Sequence, residues 1–260
     1  MRPAAMTIAG SDSGGGAGVQ GDIKTFAAQG VFGVTVITAL TAQNTKTVAG
    51  IHPVPPEFVA LQIQTIMEDI PVLAAKTGML FNAAIIKTVA DQITAARISA
   101  LVVDPVMIAK SGAHLLDDGA VGAMVELLIP LAHCVTPNIP EAERLTGISI
   151  TGLDQMKDAA RKIAAMGAKN VVVKGGHSPK AAMVTDLALL DGEFVEFTRP
   201  RFDTQNTHGT GCAFSAAITA GLARGLEIQS AVKIASMYIG RAIELSWPLG
   251  GGHGPVEHFF

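Results

Sequence analysis

The sequence predicts an α/β fold: a mostly parallel central sheet, helices on both faces, and a late antiparallel hairpin. Three observations carry this. Short apolar runs alternate with amphipathic segments of helical period. The apolar runs lack polar alternation, as expected of parallel strands covered on both faces. Late in the chain, Leu187–Leu190 and Phe194–Phe197 flank Asp191-Gly192, a two-residue turn whose positions both tolerate positive φ.

In chain order, strands are expected at Ala5–Ala9, Val34–Thr38, Leu73–Lys76, Ala100–Asp104, His133–Thr136 and Asn170–Lys174. Helices are expected at Val19–Gln29, Pro56–Ile70, Asn82–Ala95, Asp118–Ile129, Glu141–Leu145 and Leu153–Met166. Two more follow at Gly211–Arg224 and Ile228–Leu245. No internal repeat or low-complexity linker divides the 260 residues, so 1–260 reads as a single domain.

Composition narrows the function. Hydrophobic residues make up 49% and charged residues 16%, which leaves ample material for a core. The longest apolar stretch, Ala120–Val135, is broken by Glu126, Pro130 and His133 and falls short of the roughly 18 residues of a membrane span. A net charge of −3 without a basic cluster argues against nucleic acid as a partner. Cys134 and Cys212 form neither a disulfide framework nor a C-x-x-C pair, which suits a reducing compartment. Met1–Gly10 lacks the apolar core and cleavage site of a secretory signal, so a cytoplasmic location is expected.

The most telling stretch is "NTHGTGCAF" (206–214). Glycines expose the backbone, and helical periodicity begins at once, which puts Cys212 on the first turn of a helix. Free N–H groups and the dipole make such a turn an anion site and favour thiol ionisation. The plain alternatives are a small buried cysteine, or a nucleophile paired with His208; no third orienting group is evident for the latter.

Gly16–Gly21 fits G-x-G-x-x-G, but Ser11-Asp12-Ser13 separates it from the strand and no ribose-binding acid follows the second strand. Five glycines between positions 10 and 18 still point to a close backbone approach to some ligand. The phosphate loop G-x-x-x-x-G-K-[ST], the G-x-S-x-G elbow and H-E-x-x-H are all absent.

Asp104 ends an apolar strand and needs a partner, a metal or a crevice. Lys174 ends another, before Gly175-Gly176. Taken alone, Asn138 and Glu141 read first as a helix start and second as part of a site, with Glu141 a candidate for hydrated Mg²⁺. Gly10, Gln43, Gly78, Asp104, Asn138 and Lys174 all fall at strand carboxyl ends, where open α/β sheets bind ligands. An anion-binding helix start, a lysine, two carboxylates and a glycine floor are the parts of phosphoryl transfer.

The segments "AGSDSGGGAGVQGDIKTF" (9–26), "TALTAQNT" (38–45), "KTGML" (76–80), "DPVMIAKSG" (104–112), "TPNIPEAERLTG" (136–147), "VVVKGGH" (171–177), "NTHGTGCAFSAAI" (206–218) and "GHGPVEHF" (252–259) span nearly the whole chain. They resemble the ribokinase-like superfamily, and within it the hydroxymethylpyrimidine/phosphomethylpyrimidine kinase family of thiamine biosynthesis. Ala213-Phe214 and Ala113-His114 depart from the usual pattern.

The resemblance implies ATP as co-substrate, Mg²⁺, and two successive phosphorylations, of 4-amino-5-hydroxymethyl-2-methylpyrimidine and then of its monophosphate. It implies that Gly209, Thr210, Gly211 and Cys212 form the anion hole, with Cys212 also taking the acceptor's proton. Lys174, Asn138 and Thr210 would bind ATP, and Asp104 and Glu141 would hold Mg²⁺ through waters. Gln43 would read the aminopyrimidine edge, and Gly10, Ala17, Met79 and Val106 would line the ring pocket with Asp22 nearby. A homodimer is the family expectation. Pyridoxal kinase, or a dual pyrimidine/pyridoxal kinase, is the alternative. Residues 14–18 and Ala109–Leu115 are candidates for a lid.

Overall fold

The computed structural model describes residues 2–108, 116, 119–176 and 182–260. Among them, nine strands form one sheet: β1 (Ala4–Asp12), β2 (Phe32–Gln43), β3 (Val48–Pro53), β4 (Val72–Thr77), β5 (Leu101–Val103), β6 (Cys134–Val135), β7 (Val171–Val173), β8 (Met183–Leu190) and β9 (Glu193–Pro200). Their order is β3-β2-β1-β4-β5-β6-β7-β8-β9. β2-β1-β4-β5-β6-β7 is parallel; the β2–β3, β7–β8 and β8–β9 pairs are antiparallel.

The helices cover both faces. α2 (Pro56–Asp69), α3 (Ala83–Ala95), α4 (Ala120–Ala123), α5 (Ile139–Thr146) and α6 (Leu153–Ala165) share one core with Met6, Ile8, Leu101 and Val171. α1 (Gly18–Ala28), α7 (Thr210–Ala223) and α8 (Ile228–Glu244) cover the other face, with Ala5, Ala74, Val102 and Val172. Adjacent strand residues thus point into different cores, which is why these strands read as unbroken apolar runs.

Local chemistry sets the boundaries. Asn82 Oδ1 accepts the Ile85 N–H at 2.9 Å to start α3, and Ile85, Ile86, Val89 and Ile93 bury one helical face. Asp191 (φ 46°) and Gly192 (φ 91°) both take positive φ, as the hairpin turn requires.

Two expectations need correction. The sheet has an early antiparallel hairpin as well as the late one. β3 escaped notice because it is a half-exposed edge strand carrying Gly50, His52 and Pro53, with no hydrophobic pattern. The helix expected over 118–129 is composite: α4 passes into a π-helical turn at Met124–Leu128, then a 3₁₀ turn at Ile129–Leu131 containing Pro130. A proline there removes a helical donor and clashes with the preceding turn.

Buried His258 closes the C-terminal segment over α8. Its Nδ1 lies 2.8 Å from the Tyr238 hydroxyl. Burial, with Lys24 nearby, lowers its pKa to about 4 from an ordinary 6.5. The folded state therefore keeps it neutral, while the unfolded chain protonates near 6.5. Stability is unaffected above that pH and falls as pH drops from about 6.5 to 4, by at most about 3 kcal/mol. Urea unfolding across this range should show that loss in the native protein and a smaller one in His258→Asn.

Candidate active site

The site lies where the strand order reverses, at the carboxyl ends of β1, β4, β5 and β7. A cleft of about 540 Å³ opens there. Gly10, Ala17, Gln43, Met79, Val106, Asp104, Asn138, Glu141, Lys174, Gly209, Thr210, Gly211 and Cys212 all line it. Of the expected site residues only Asp22 stands apart.

Helix α7 starts at the floor of this cleft. Gly209 caps it in the left-handed conformation, φ 82°. A Cβ there would stand 1.9 Å from the Gly16 carbonyl oxygen, so only glycine fits. The first-turn N–H groups of Gly211 and Cys212 have no preceding helical carbonyl to meet and are available to an anion. The bare Gly211 also lets Lys174 and Asp104 approach: a Cβ would lie 3.3 Å from Lys174 Nζ and 3.7 Å from Asp104 Oδ2. Gly209→Ala is expected to lose more than about 1–2 kcal/mol from φ alone. The clash adds to this, and a thermal melt should fall by roughly 4 °C or more.

Asp104 has the partner its burial requires. Lys174 Nζ donates to Oδ1 at 2.8 Å, and the Thr136 and Ser215 hydroxyls reach its two oxygens at 3.3 Å. Burial disfavours the Lys174 ammonium, but Asp104 and Glu141 outweigh it and raise its pKa.

Glu141 is the helix start that the sequence suggested. It forms a reciprocal cap with Asn138: its N–H donates to Asn138 Oδ1 at 2.9 Å, and its Oε2 accepts from the Asn138 N–H at 2.8 Å. It also faces the cleft, where burial, assisted by Asp104 and opposed by Lys174, raises it to about 7. Two carboxylates lining one cleft suit a hard divalent cation, which would relieve this excess negative charge.

Cys212 differs from expectation. The helix start was expected to lower its pKa; instead it is raised to about 11. Burial is the main cause, and Asp22 and Asp104 add to it. Lys76 and the Gly18 N–H oppose without prevailing.

Asp22 does not reach the cleft. It is fully buried beneath it, with Lys76 Nζ at 2.9 and 3.0 Å from its two oxygens and the Thr7 hydroxyl donating at 2.6 Å. Burial works against the Lys76 ammonium, but Asp22, with Cys212 and Asp104, holds it above its usual range. Asp22 therefore fixes a cation under Cys212 and does not touch a ring in the pocket.

The residues 14–18, expected as a possible lid, are tied down. Asp12 Oδ1 accepts from the Gly14 N–H at 2.8 Å, and Oδ2 from the Gly16 and Ala17 N–H groups at 3.1 and 2.9 Å. Gly16 also packs under His208 and Pro255. Residues 109–115, the other lid candidate and part of the "DPVMIAKSG" segment, lie outside the described residues, as does His177.

Sequence reasoning passed over Asp12 and Lys76, and weighed His208 only against Cys212. It also missed the distal wall: Arg144, Arg201, Phe202, Val184, Ile239 and Ile243. An apolar shelf with arginines at its edge suits a nucleotide base and its phosphates. A lysine within the apolar strand Leu73–Thr77, and an acid on the buried face of α1 between Val19 and Phe26, were the available signals for the Lys76–Asp22 pair.

Fold and site together define a ribokinase-like small-molecule kinase, a phosphotransferase without a phosphate loop. A solved structure of Bacillus subtilis pyridoxal kinase in complex with ADP superposes with a TM-score of 0.92 at 38% identity, covering 99% of this chain and 98% of that one. The family model for phosphomethylpyrimidine kinase matches residues 12–257, and the chain belongs to that family.

Among curated relatives, the hydroxymethylpyrimidine/phosphomethylpyrimidine kinase of Bacillus subtilis is 51% identical over 98% of this chain and 94% of its own length. The thiamine biosynthesis bifunctional protein of Geobacter sulfurreducens is 52% identical over 99% of this chain, which spans 52% of that longer protein.

Proposed function

We propose that the chain transfers the γ-phosphoryl group of ATP to 4-amino-5-hydroxymethyl-2-methylpyrimidine, and then a second one to the monophosphate, in thiamine diphosphate biosynthesis. The supporting observation is one cleft that joins a ring pocket (Gly10, Ala17, Gln43, Met79, Val106) to an anion-binding helix start and the Lys174–Asp104–Glu141 group.

In this reading the acceptor oxygen bonds to the γ-phosphorus, the bond to the ADP oxygen breaks, and the hydroxyl proton leaves to the Cys212 thiolate, whose own proton has first gone to solvent. The Gly209–Cys212 backbone receives the charge that builds on the phosphoryl oxygens. Lys76 and Lys174 both lie close enough to feel charge on the sulfur, which favours that thiolate. Lys174 and Thr210 serve the transferred phosphate and Asn138 the nucleotide. Asp104 and Glu141 would hold Mg²⁺ through waters, and the ion would supply neutralisation of phosphate charge. We place the enzyme in the cytoplasm as a single-domain homodimer. No described helix is long and apolar enough to cross a membrane.

The testing experiment measures ADP release with Mg-ATP on the pyrimidine, its monophosphate and pyridoxal. Turnover of both pyrimidines supports the reading, and silence on both overturns it. Structural likeness to a pyridoxal kinase favours a second reading, phosphorylation of pyridoxal. Turnover of pyridoxal alone would establish that reading and displace the proposed role of Gln43.

A further inference from the structure

Gln43 is held by neighbours whose hydrogen-bonding capacity is already committed. Its backbone is clamped to the glycine loop: the Gln43 N–H donates to Ser13 Oγ at 2.8 Å, and the Ser13 hydroxyl donates to Gln43 O at 2.8 Å. The terminal atoms of its carboxamide meet two groups. As placed, Nε2 lies 3.3 Å from His208 Nε2 and Oε1 lies 3.3 Å from Thr41 Oγ1.

His208 Nε2 also lies 2.8 Å from Asp12 Oδ2. The Asp12 carboxylate is held ionised. Burial would raise its pKa, but His208 and the Ala17 and Gly14 N–H groups prevail and lower it. An ionised carboxylate only accepts, so His208 Nε2 must carry a proton. Thr41 has spent its single hydroxyl proton on the Ser11 carbonyl at 2.9 Å, so toward Gln43 it can only accept.

Both neighbours therefore call for the amide sense opposite to the one placed: Gln43 Oε1 toward His208, whose one Nε2 proton it shares with Asp12, and Nε2 toward Thr41. The sense as placed would set two donors face to face at His208 and two acceptors at Thr41.

We propose that Asp12 and His208 are positioning residues for substrate recognition: they fix the rotational sense of the Gln43 carboxamide. That fixed sense leaves one N–H and one oxygen lone pair, in a defined order, for a heteroaromatic edge in the cleft. The selected ligand is a ring presenting a complementary donor and acceptor side by side, as an aminopyrimidine does. A ring without that pair gains nothing from the arrangement.

The pair also explains a long-range clasp. His208 immediately precedes Gly209. Its N–H donates to the Gly254 carbonyl at 3.0 Å, and its carbonyl accepts from Val256 N–H at 3.2 Å. Asp12 therefore ties the glycine loop to His208, and His208 in turn meets the end of β2, the start of α7 and the C-terminal segment.

This inference rests on the ring-pocket role of Gln43 proposed above, and its test separates the two. KM and kcat would be measured for the pyrimidine, pyridoxal and ATP in His208→Ala, His208→Gln, Asp12→Asn and Gln43→Ala, with thermal melts alongside. His208→Ala is expected to raise the pyrimidine KM about tenfold, the worth of one good hydrogen bond, with kcat and the ATP KM within about twofold of native. Preference for the pyrimidine over pyridoxal should fall by a similar factor. His208→Gln keeps an N–H donor and is expected to restore most of the KM.

A His208→Ala effect on kcat and every KM alike, tracking a lower melting temperature, would mean a merely structural clasp and would overturn the proposal. A raised pyrimidine KM in Gln43→Ala with none in His208→Ala or Asp12→Asn would also overturn it while sparing Gln43's role. An unchanged KM in Gln43→Ala would remove the role itself, and the proposal with it.

Discussion

Replacing Cys212 with alanine or serine is expected to slow the first phosphorylation by about 10²–10⁴-fold, the usual span for a positioned proton acceptor. The second should slow far less, because its acceptor is already an anionic phosphate and has no hydroxyl proton to shed. Single-turnover assays of the two steps give the comparison. Equal loss in both would assign Cys212 to the shape of the anion hole alone. Titration of the thiol supplies a second check. With its pKa raised to about 11, Cys212 in the free protein is a thiol at neutral pH. Its alkylation should be slow at pH 7 and rise roughly tenfold per pH unit toward 11. Cys134 does not interfere, since full burial pushes it to about 12.

The second large effect is expected at Asp22. Asp22→Ala leaves Lys76 charged, buried and without its carboxylate, a loss of about 3–5 kcal/mol. Urea unfolding would register it. Asp22→Ala combined with Lys76→Met removes both charges and should recover most of the stability. The double variant is nevertheless expected to remain impaired in the first phosphorylation, because the cation beneath Cys212 is gone. Full recovery of both properties would show that the pair serves folding only.

The limits of the sequence follow from which forces leave a local signature. Strand interiors such as Val171–Val173 and helix starts such as Asn138–Glu141 are specified by neighbouring residues, and they stand where expected. The Asp191-Gly192 turn is likewise local. β3 is not, since its pairing with β2 is made by backbone and its side chains are half exposed. Glycines and strand-end charges marked the position of the cleft, while Ala17, Met79 and Val106 on its lining came only from the family resemblance. The electrostatics of the site were not legible. The pKa of Cys212 is raised mainly by burial, with the charges of Lys76, Asp22 and Asp104 from distant parts of the chain acting beside it, and the helix start alone gave the wrong direction. Asp12 looked like an interruption between strand and glycines until His208, 196 residues away in sequence, met it.

Helix α7 is a rod confined along most of its length. Ala213, Ala216, Ala217, Ala220 and Ala223 let the sheet, α1 and α8 close around it, and a Cβ on Gly221 would come within 2.8 Å of the Ala231 Cβ. Fourteen residues make it about 21 Å long, and its start is the floor of the cleft. Volume added to its flank finds little sideways room and is relieved most readily along the axis, toward the floor of the cleft. Drift in this helix is therefore held to changes that conserve size. Turnover, more than fold, becomes the quantity that records its distant repacking.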